Sequence, residues 1–482
     1  MEVYSNSVED QLIDGLSYKL NSGSSYITDR KSVTFFPQGS NIYTPQSGTR
    51  VMRFLVNGSD WLDSTNSLRI FFDIRNNSAT VPLRVLGGPY SFIRRMRVLC
   101  QNVLVEDLDY ANRNHYMFDI MRARHVRENE DDEGSGEARF DAPYYQPLFQ
   151  SNVATATSSG TANVVYPYGQ IANFSNTYIT VLPGQSRTVS FKPLSGLLNC
   201  GKLLPLQYCP ITIELEVVSS ITDPIISVND AALSINVDGT AGFNSGTINT
   251  SLTWQIENPQ IKADICVLDN ALNNEYAALL LSGKSLPINY CSYVCQLQSV
   301  SGQTPSINIT RGFSRLKSVF VTLDQTNGYA AYNNNNTHTP VWKKIWNDFI
   351  HPMTFGGGSY NSDYEIQSAQ MQLGSKTYPE YPMSSVAECF YQLRKTMGVE
   401  NSNFHSLDIT PYEFRNHKFA LAFDTEKNLG SAFTGVNTKS GSLLTVKLKS
   451  TANSTNMPDT IYVTMHYDGI LQVSDASVSV FD

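Results

Sequence analysis

Along much of the chain, apolar and polar side chains alternate one by one. Leu68, Ile70, Phe72 and Ile74 alternate with Arg69, Phe71, Asp73 and Arg75, and Ile211, Ile213, Leu215 and Val217 alternate with Thr212, Glu214 and Glu216. Phe419, Leu421 and Phe423 continue the pattern, as do Leu444, Val446 and Leu448 against Thr445, Lys447 and Lys449, and finally Ile461, Val463, Met465 and Tyr467. A period of two places successive side chains on opposite faces of a strand. These segments therefore predict antiparallel strands with one face buried and the other wet, as in a sandwich.

Helical spacing appears in three places. Val386, Cys389, Phe390, Leu393 and Met397 fall on one helical stripe, opened by a Ser385/Glu388 capping box and followed by Gly398 as the C′ residue. A helix at 109–122 would bury Met117, Ile120 and Met121. A third, at 270–282, would carry Leu272, Tyr276, Leu279 and Leu280 on one stripe, with Gly283 after it. Few helices among many strands predict an all-β fold of the sandwich class. Residues 96–121 and 371–397 both read strand, tight turn, strand, helix. Leu99 aligns with Leu373 and Glu106 with Glu380 at an offset of 274, and the helical stripes align at 273. One supersecondary unit used twice, once per domain, is the expected cause.

A length of 482 residues exceeds one hydrophobic core and favours two or three domains. Hydrophobic residues make up 41% and charged residues only 16%, against about 25% in typical domains. A surface poor in charge suits extensive protein–protein contact. The net charge is −8, and the start, Met1-Glu2-Val3-Tyr4-Ser5-Asn6, is not a basic arm. Extensive direct nucleic-acid binding, which needs Lys and Arg against phosphates, is not expected.

The seven cysteines (100, 200, 209, 266, 291, 295 and 389) are odd in number and scattered, with no signal peptide ahead of them, which predicts free thiols in a reducing compartment. No apolar run approaches the ~20 residues of a membrane span. Two long polar stretches, 125–185 and 324–362, read as exterior loops. The first holds the acidic run Glu128 to Glu133, which lacks the spaced ligands and turn glycine of a calcium loop, and the small-residue segment Thr155 to Asn163.

Catalytic and metal motifs are missing. Gly283-Lys284-Ser285 resembles the end of a phosphate-binding loop, but Ala278 stands where its first glycine belongs, and the segment would follow a helix instead of opening one. Cys291 and Cys295 share a strand face without an accompanying His/Cys pair, so two buried thiols are expected there, not zinc. His115, His125, His338, His351, His405, His417 and His466 form no H-E-x-x-H pattern or nucleophile elbow, and His466 falls on the polar face of its strand, which predicts exposure. The acid pair Asp131 and Asp132 sits in a polar loop that favours no raised pKa. No catalytic, cofactor-binding or metal-binding residue is assigned.

Three segments together resemble a known family. They are Phe191-Lys192-Pro193-Leu194-Ser195-Gly196-Leu197-Leu198 with the following Lys202 to Leu206 and Pro210 to Leu215; the hairpin Met371-Gln372-Leu373-Gly374-Ser375-Lys376-Thr377-Tyr378-Pro379; and the tail His466-Tyr467-Asp468-Gly469-Ile470-Leu471 with its closing strand 476–480. In combination and order they resemble the double jelly-roll major capsid proteins of virophages, Polinton-like viruses and large nucleocytoplasmic DNA viruses, the lineage of adenovirus hexon. That resemblance implies two antiparallel eight-stranded jelly-roll sandwiches in tandem, with an N-terminal arm at 1–27 and domains at 28–265 and 266–482. It implies a structural role with no cofactor: a homotrimer forming a pseudo-hexagonal capsomer of an icosahedral double-stranded DNA virus shell. Its partners would be neighbouring capsomers, penton and minor capsid proteins, and an internal membrane touched through other proteins. The expected location is the virion capsid, after synthesis in the host cytoplasm. Competing readings are an assembly scaffold of the same fold, a double-jelly-roll hydrolase, and a carbohydrate-binding adhesin using Tyr110 and Tyr116 or Tyr144 and Tyr145.

Overall fold

A computed structural model describes residues 26–122 (apart from 66, 81–82 and 86), 152–153, 164–165, 180–219, 224–227, 249–324, 349, 368–399, 407, 409, 411, 414, 418–426, 434–439, 443–449 and 458–482 (apart from 476). The acidic run, the segment Thr155 to Asn163, most of the two polar stretches, nearly all of the arm 1–27, the pairs Asp131/Asp132 and Tyr144/Tyr145, and His125, His338, His351, His405 and His417 lie outside the described residues.

Sixteen strands build the frame. In the first half they are β1 (Ile27–Phe35), β2 (Val51–Val56), β3 (Arg69–Asn76), β4 (Ile93–Cys100), β5 (Val103–Leu108), β6 (Ser186–Phe191), β7 (Ile211–Val217) and β8 (Trp254–Leu268). In the second they are β9 (Leu286–Ser299), β10 (Ser306–Ile309), β11 (Leu316–Asp324), β12 (Ser368–Leu373), β13 (Lys376–Met383), β14 (Leu421–Asp424), β15 (Leu444–Lys449) and β16 (Thr460–Val473). Helix α1 (Ala111–Met121) follows β5, α2 (Asn270–Leu281) joins the halves, and α3 (Val386–Thr396) follows β13.

Each half folds its eight strands into two four-stranded antiparallel layers. The first half has the orders β6-β3-β8-β1 and β2-β7-β4-β5; the second has β14-β11-β16-β9 and β10-β15-β12-β13. Every pairing in one half recurs in the other with strand numbers raised by eight, and the helix after the fifth strand recurs too. The faint sequence echo is thus a duplicated jelly roll. Short extra strands border the first half, and Val478–Phe481 adds an edge to β16. Strand β8 runs without a break through the expected boundary at 265/266 as far as Leu268, and α2 follows.

The helices form where the stripes predict them. Ser385 Oγ accepts from the Glu388 N–H at 3.2 Å, and Gly398 closes α3 with φ +70°. The Glu388 carboxylate reaches back one residue further than a standard capping box, to Ser384 N–H. Asp269 caps α2 through Ala271 N–H. Gly283 takes φ +81° as the C′ residue of α2, so the Gly-Lys-Ser triplet terminates a helix and opens no phosphate loop. Among the described residues no helix is long and apolar enough to cross a membrane.

The cores hold the predicted sides of the strands: Ile70, Phe72 and Ile74, then Ile211, Ile213 and Leu215, then Ile461, Val463, Met465 and Tyr467 are all buried. One expectation is corrected. In the second half's β14-β11-β16-β9 layer the outer face is largely dry over β11 and β16, while β9 keeps Asn289, Cys291 and Leu297 exposed there. Tyr462, Thr464 and Asp468 on β16 are buried, as are Ala420 and Ala422 beside the core-facing Phe419, Leu421 and Phe423. The cover over much of that outer face comes from the first half, a contact that no local alternation encodes.

Candidate assembly interface

The covering element is α1. Its Met117, Ile120 and Met121 enter the first core as the stripe predicts. Its other side presses on the outer face of β11, β16 and β9. The Phe118 ring meets Tyr293 and Phe320 at centroid distances of 4.8 and 5.2 Å, and Tyr110 meets Tyr462 edge-on at 5.0 Å. Aromatic contacts of this kind contribute about 0.5–1.5 kcal/mol each beyond area burial.

Polar groups fix the register. Arg113 is buried; its Nε donates to Thr322 Oγ1 at 3.1 Å and its Nη1 lies 3.6 Å from Asp324. Its guanidinium stacks over Phe349 and Tyr462, at 4.5 and 4.2 Å. A planar, weakly hydrated cation tolerates such a site better than lysine would. Thr464 Oγ1 donates to Asn114 Oδ1, and the Asn114 amide donates to the Asp109 and Tyr110 carbonyls, bracing the left-handed turn at Tyr110 (φ 52°) that starts the helix.

A second contact lies beside it. Glu106, on β5, is buried, and burial pushes its carboxyl above its ordinary value. Hydrogen bonds oppose that push: the hydroxyls of Ser195 and Ser292 and the N–H groups of Gly196 (2.8 Å) and Leu197 (3.4 Å). Ser292 belongs to the second half, so one carboxylate binds both halves. The turn that surrounds it is Pro193-Leu194-Ser195-Gly196-Leu197-Leu198-Asn199. Asn199 Nδ2 holds it closed through the Pro193 and Ser195 carbonyls, and Leu197 and Leu198 are its buried anchors.

Gly196 seats this turn on β9. A Cβ there would stand 1.5 Å from the Cys291 carbonyl oxygen. Gly469 makes the matching allowance on β16, where a Cβ would meet the Tyr290 ring at 2.6 Å; Tyr290 in turn donates to the Val105 carbonyl at 3.4 Å. Two of the three segments that carry the sequence resemblance therefore owe their glycines to close approach between or within the halves.

Three expectations about single residues change here. His466 is half-buried, not exposed: its ring stacks on Tyr293 at 4.9 Å and Nδ1 lies 3.3 Å from Ser318 Oγ. Burial, aided by Lys317 and opposed by Asp468, pushes it down to about 4. Cys291 is exposed and Cys295 half-buried, so they are not two buried thiols. Desolvation and then its hydrogen bond to Asp468 (2.9 Å) push the Cys291 thiol up to about 12, while burial pushes Cys295 up to about 11, so neither is a ready thiolate. Among the described residues no group of three or more His, Cys, Asp and Glu could hold a metal ion. Tyr116 is buried and Tyr110 half-buried in packing, so neither offers a sugar-binding surface. Glu106 was readable in sequence only as a lone carboxylate after Val103-Leu104-Val105, and nothing local named its partners.

No protein-family model matches the chain, and no curated protein matches it by sequence. Solved structures do. The fold is similar to that of VP54 of PBCV-1, as fitted into a cryo-EM reconstruction of the virophage Sputnik, with a TM-score of 0.57 and 10% identity over 96% of this chain and 99% of that one. It is similar to a chain of the Sputnik virophage structure (TM-score 0.55, 11% identity, 97% and 91% covered) and to the Faustovirus major capsid protein (TM-score 0.53, 10% identity, 95% and 93% covered). The chain thus shares, along nearly its whole length, the fold of these viral proteins.

Proposed function

We propose that this chain is a major capsid protein, three copies of which form a pseudo-hexagonal capsomer in the icosahedral shell of a double-stranded DNA virus. The observation that carries the reading is the strand-for-strand duplication: two eight-stranded jelly rolls, joined through the contacts of α1 and the Gly196 turn. Two similar sandwiches in one chain offer two similar edges, and a three-fold axis turns them into six. Closed cyclic symmetry then leaves no edge unpaired. The likeness to the Faustovirus major capsid protein over most of both chains supports it.

On this reading each roll is a domain, 28–265 and 266–482 in outline, with the changeover across α2. The low charge content serves contacts among subunits. Neighbouring capsomers, penton proteins and minor capsid proteins are the expected partners, and any internal membrane is reached through them. The chain works by assembly and needs no cofactor; it is made in the host cytoplasm and resides in the virion. Negative-stain microscopy of the purified protein tests this: particles with a hexagonal outline and three-fold symmetry are expected, whereas elongated two-lobed monomers would contradict it.

A further inference from the structure

Two of the chain's free thiols meet inside the first roll. Cys100 ends β4, and Cys209 lies in the turn that leads into β7. Both are buried in the first core, at 0% and 2% exposure.

The ladder and the turn place them together. Cys100 is the register partner of Ile211, and residues two apart on an extended segment share a face, so Cys209 falls on the side of Cys100. Gln101, the next residue after Cys100, grips the chain on both sides of Cys209. Its N–H donates to the Pro210 carbonyl at 3.0 Å, and its Nε2 donates to the Tyr208 carbonyl at 2.7 Å. The Cys209 N–H donates to the Pro205 carbonyl at 2.8 Å. A diagonal pair in a regular ladder stands about 7–8 Å apart, beyond the ~5.5–6 Å usual between the Cα atoms of a disulfide. Here Cys209 has left the ladder for the turn closed at Pro205, and the two thiols hydrogen-bond each other. That contact first, and burial next, hold the Cys100 thiol well above its ordinary value, with nearby Glu106 adding to the effect. Glu106 binds both rolls, so the pair lies beneath the contact between them.

We infer that Cys100 and Cys209 form a modification site, a latent dithiol that an oxidant of the disulfide class, such as oxidised glutathione, converts to a disulfide joining β4 to the approach to β7. One thiol, ionised during a local opening, attacks a sulfur of the oxidant and expels one glutathione thiolate. The second thiol loses its proton to solvent, attacks the mixed disulfide and expels the other. Two cysteine thiols are oxidised by two electrons, one glutathione disulfide becomes two glutathione thiols, and the two protons end on those thiols. Burial and the raised thiol make the reaction slow. The proposed role gives it an occasion, since a shell made in a reducing cytoplasm ends outside the cell; the chemistry itself does not depend on that role.

The test uses the full folded chain, incubated with oxidised glutathione without denaturant and then quenched with N-ethylmaleimide. Unreduced peptide mapping should find the Cys100 and Cys209 peptides linked and lighter by two hydrogen atoms, a change that dithiothreitol reverses. The bond closes a loop of roughly a hundred residues, so the oxidised protein should melt about 5 °C higher. Cys100→Ala and Cys209→Ser should each abolish the link and the rise in melting temperature; if one of them misfolds by its melting curve, the other carries the control. Both thiols still alkylated after prolonged incubation near the melting temperature overturns the inference. So does glutathione left on either cysteine in place of the link, or a linked protein that melts no higher than the reduced one.

Discussion

Gly196→Ala isolates the contact between the rolls. The backbone at Gly196 is helical, φ −72° and ψ −39°, so alanine is conformationally welcome and by itself would stabilise by about 0.4–1 kcal/mol through the unfolded chain. The added methyl, however, would stand 1.5 Å from the Cys291 oxygen and 2.4 Å from its carbonyl carbon. Ordinary contact requires roughly another 2 Å, which the turn can gain only by lifting off β9. That shift breaks the hydrogen bonds from Gly196 and Leu197 N–H into the Glu106 carboxylate. At about 1–3 kcal/mol for each buried donor left without its partner, and less for the longer bond, the expected net loss is about 2–4 kcal/mol. Urea unfolding followed by circular dichroism measures it. Gly201→Ala is the control: Gly201 has φ +74° and nothing within 4 Å of where an added methyl would stand, so its cost is backbone strain alone, about 1 kcal/mol. The reasoning is refuted if Gly196→Ala costs less than Gly201→Ala.

Other outcomes follow from the same contacts. Ile213→Asp places a carboxylate in a dry core and should cost several kcal/mol, about 3 or more, in denaturant unfolding. Glu214→Gln, which loses only part-exposed pairing with Arg53 (3.6 Å) and Arg97 (2.8 Å), should cost about 1 kcal/mol or less; equal effects would put the wrong face of β7 inside. Phe118→Ala should cost about 3 kcal/mol, as truncation of an aromatic packed on two others, and thermal melts unchanged from the wild type would remove α1 from the inter-roll contact. His466 has a folded pKa near 4, below its unfolded value of about 6.5, so the unfolded chain binds the extra proton as pH falls between those values. Stability should therefore fall by up to about 3 kcal/mol from pH 7 to pH 4 on this account, and His466→Phe should flatten that part of the profile.

The fold lies close to the surface of the sequence because its strands obey a local rule. Ile70, Phe72 and Ile74 alternate with wet partners, and so do Leu444, Val446 and Leu448; α2 and α3 carry their caps within four residues. The errors cluster where burial comes from a distant segment. Ala420, Ala422, Tyr462 and Thr464 look like a second, solvated face, yet the face they belong to is covered by residues some 300 positions away. His466 and Cys291 fail for related reasons, since their surroundings are set by the packing of one strand against neighbours remote in sequence. The candidate interface was half legible. Ser195-Gly196-Leu197-Leu198 stood out as a motif, but the reason for its glycine is the Cys291 carbonyl, and no residue spacing reveals that. The repeat at 99 and 373 was visible because a hairpin followed by a helix leaves a local signature, whereas the matching of all sixteen strands needed the pairings themselves.

Sedimentation equilibrium on the purified wild-type chain, over a dilution series through the micromolar range, tests the capsomer claim most directly. A single species of three chains, persisting on dilution, is predicted, because a closed three-fold ring loses two contacts when any one chain leaves. A protein that remains monomeric throughout, with no trimer appearing on concentration, would contradict it.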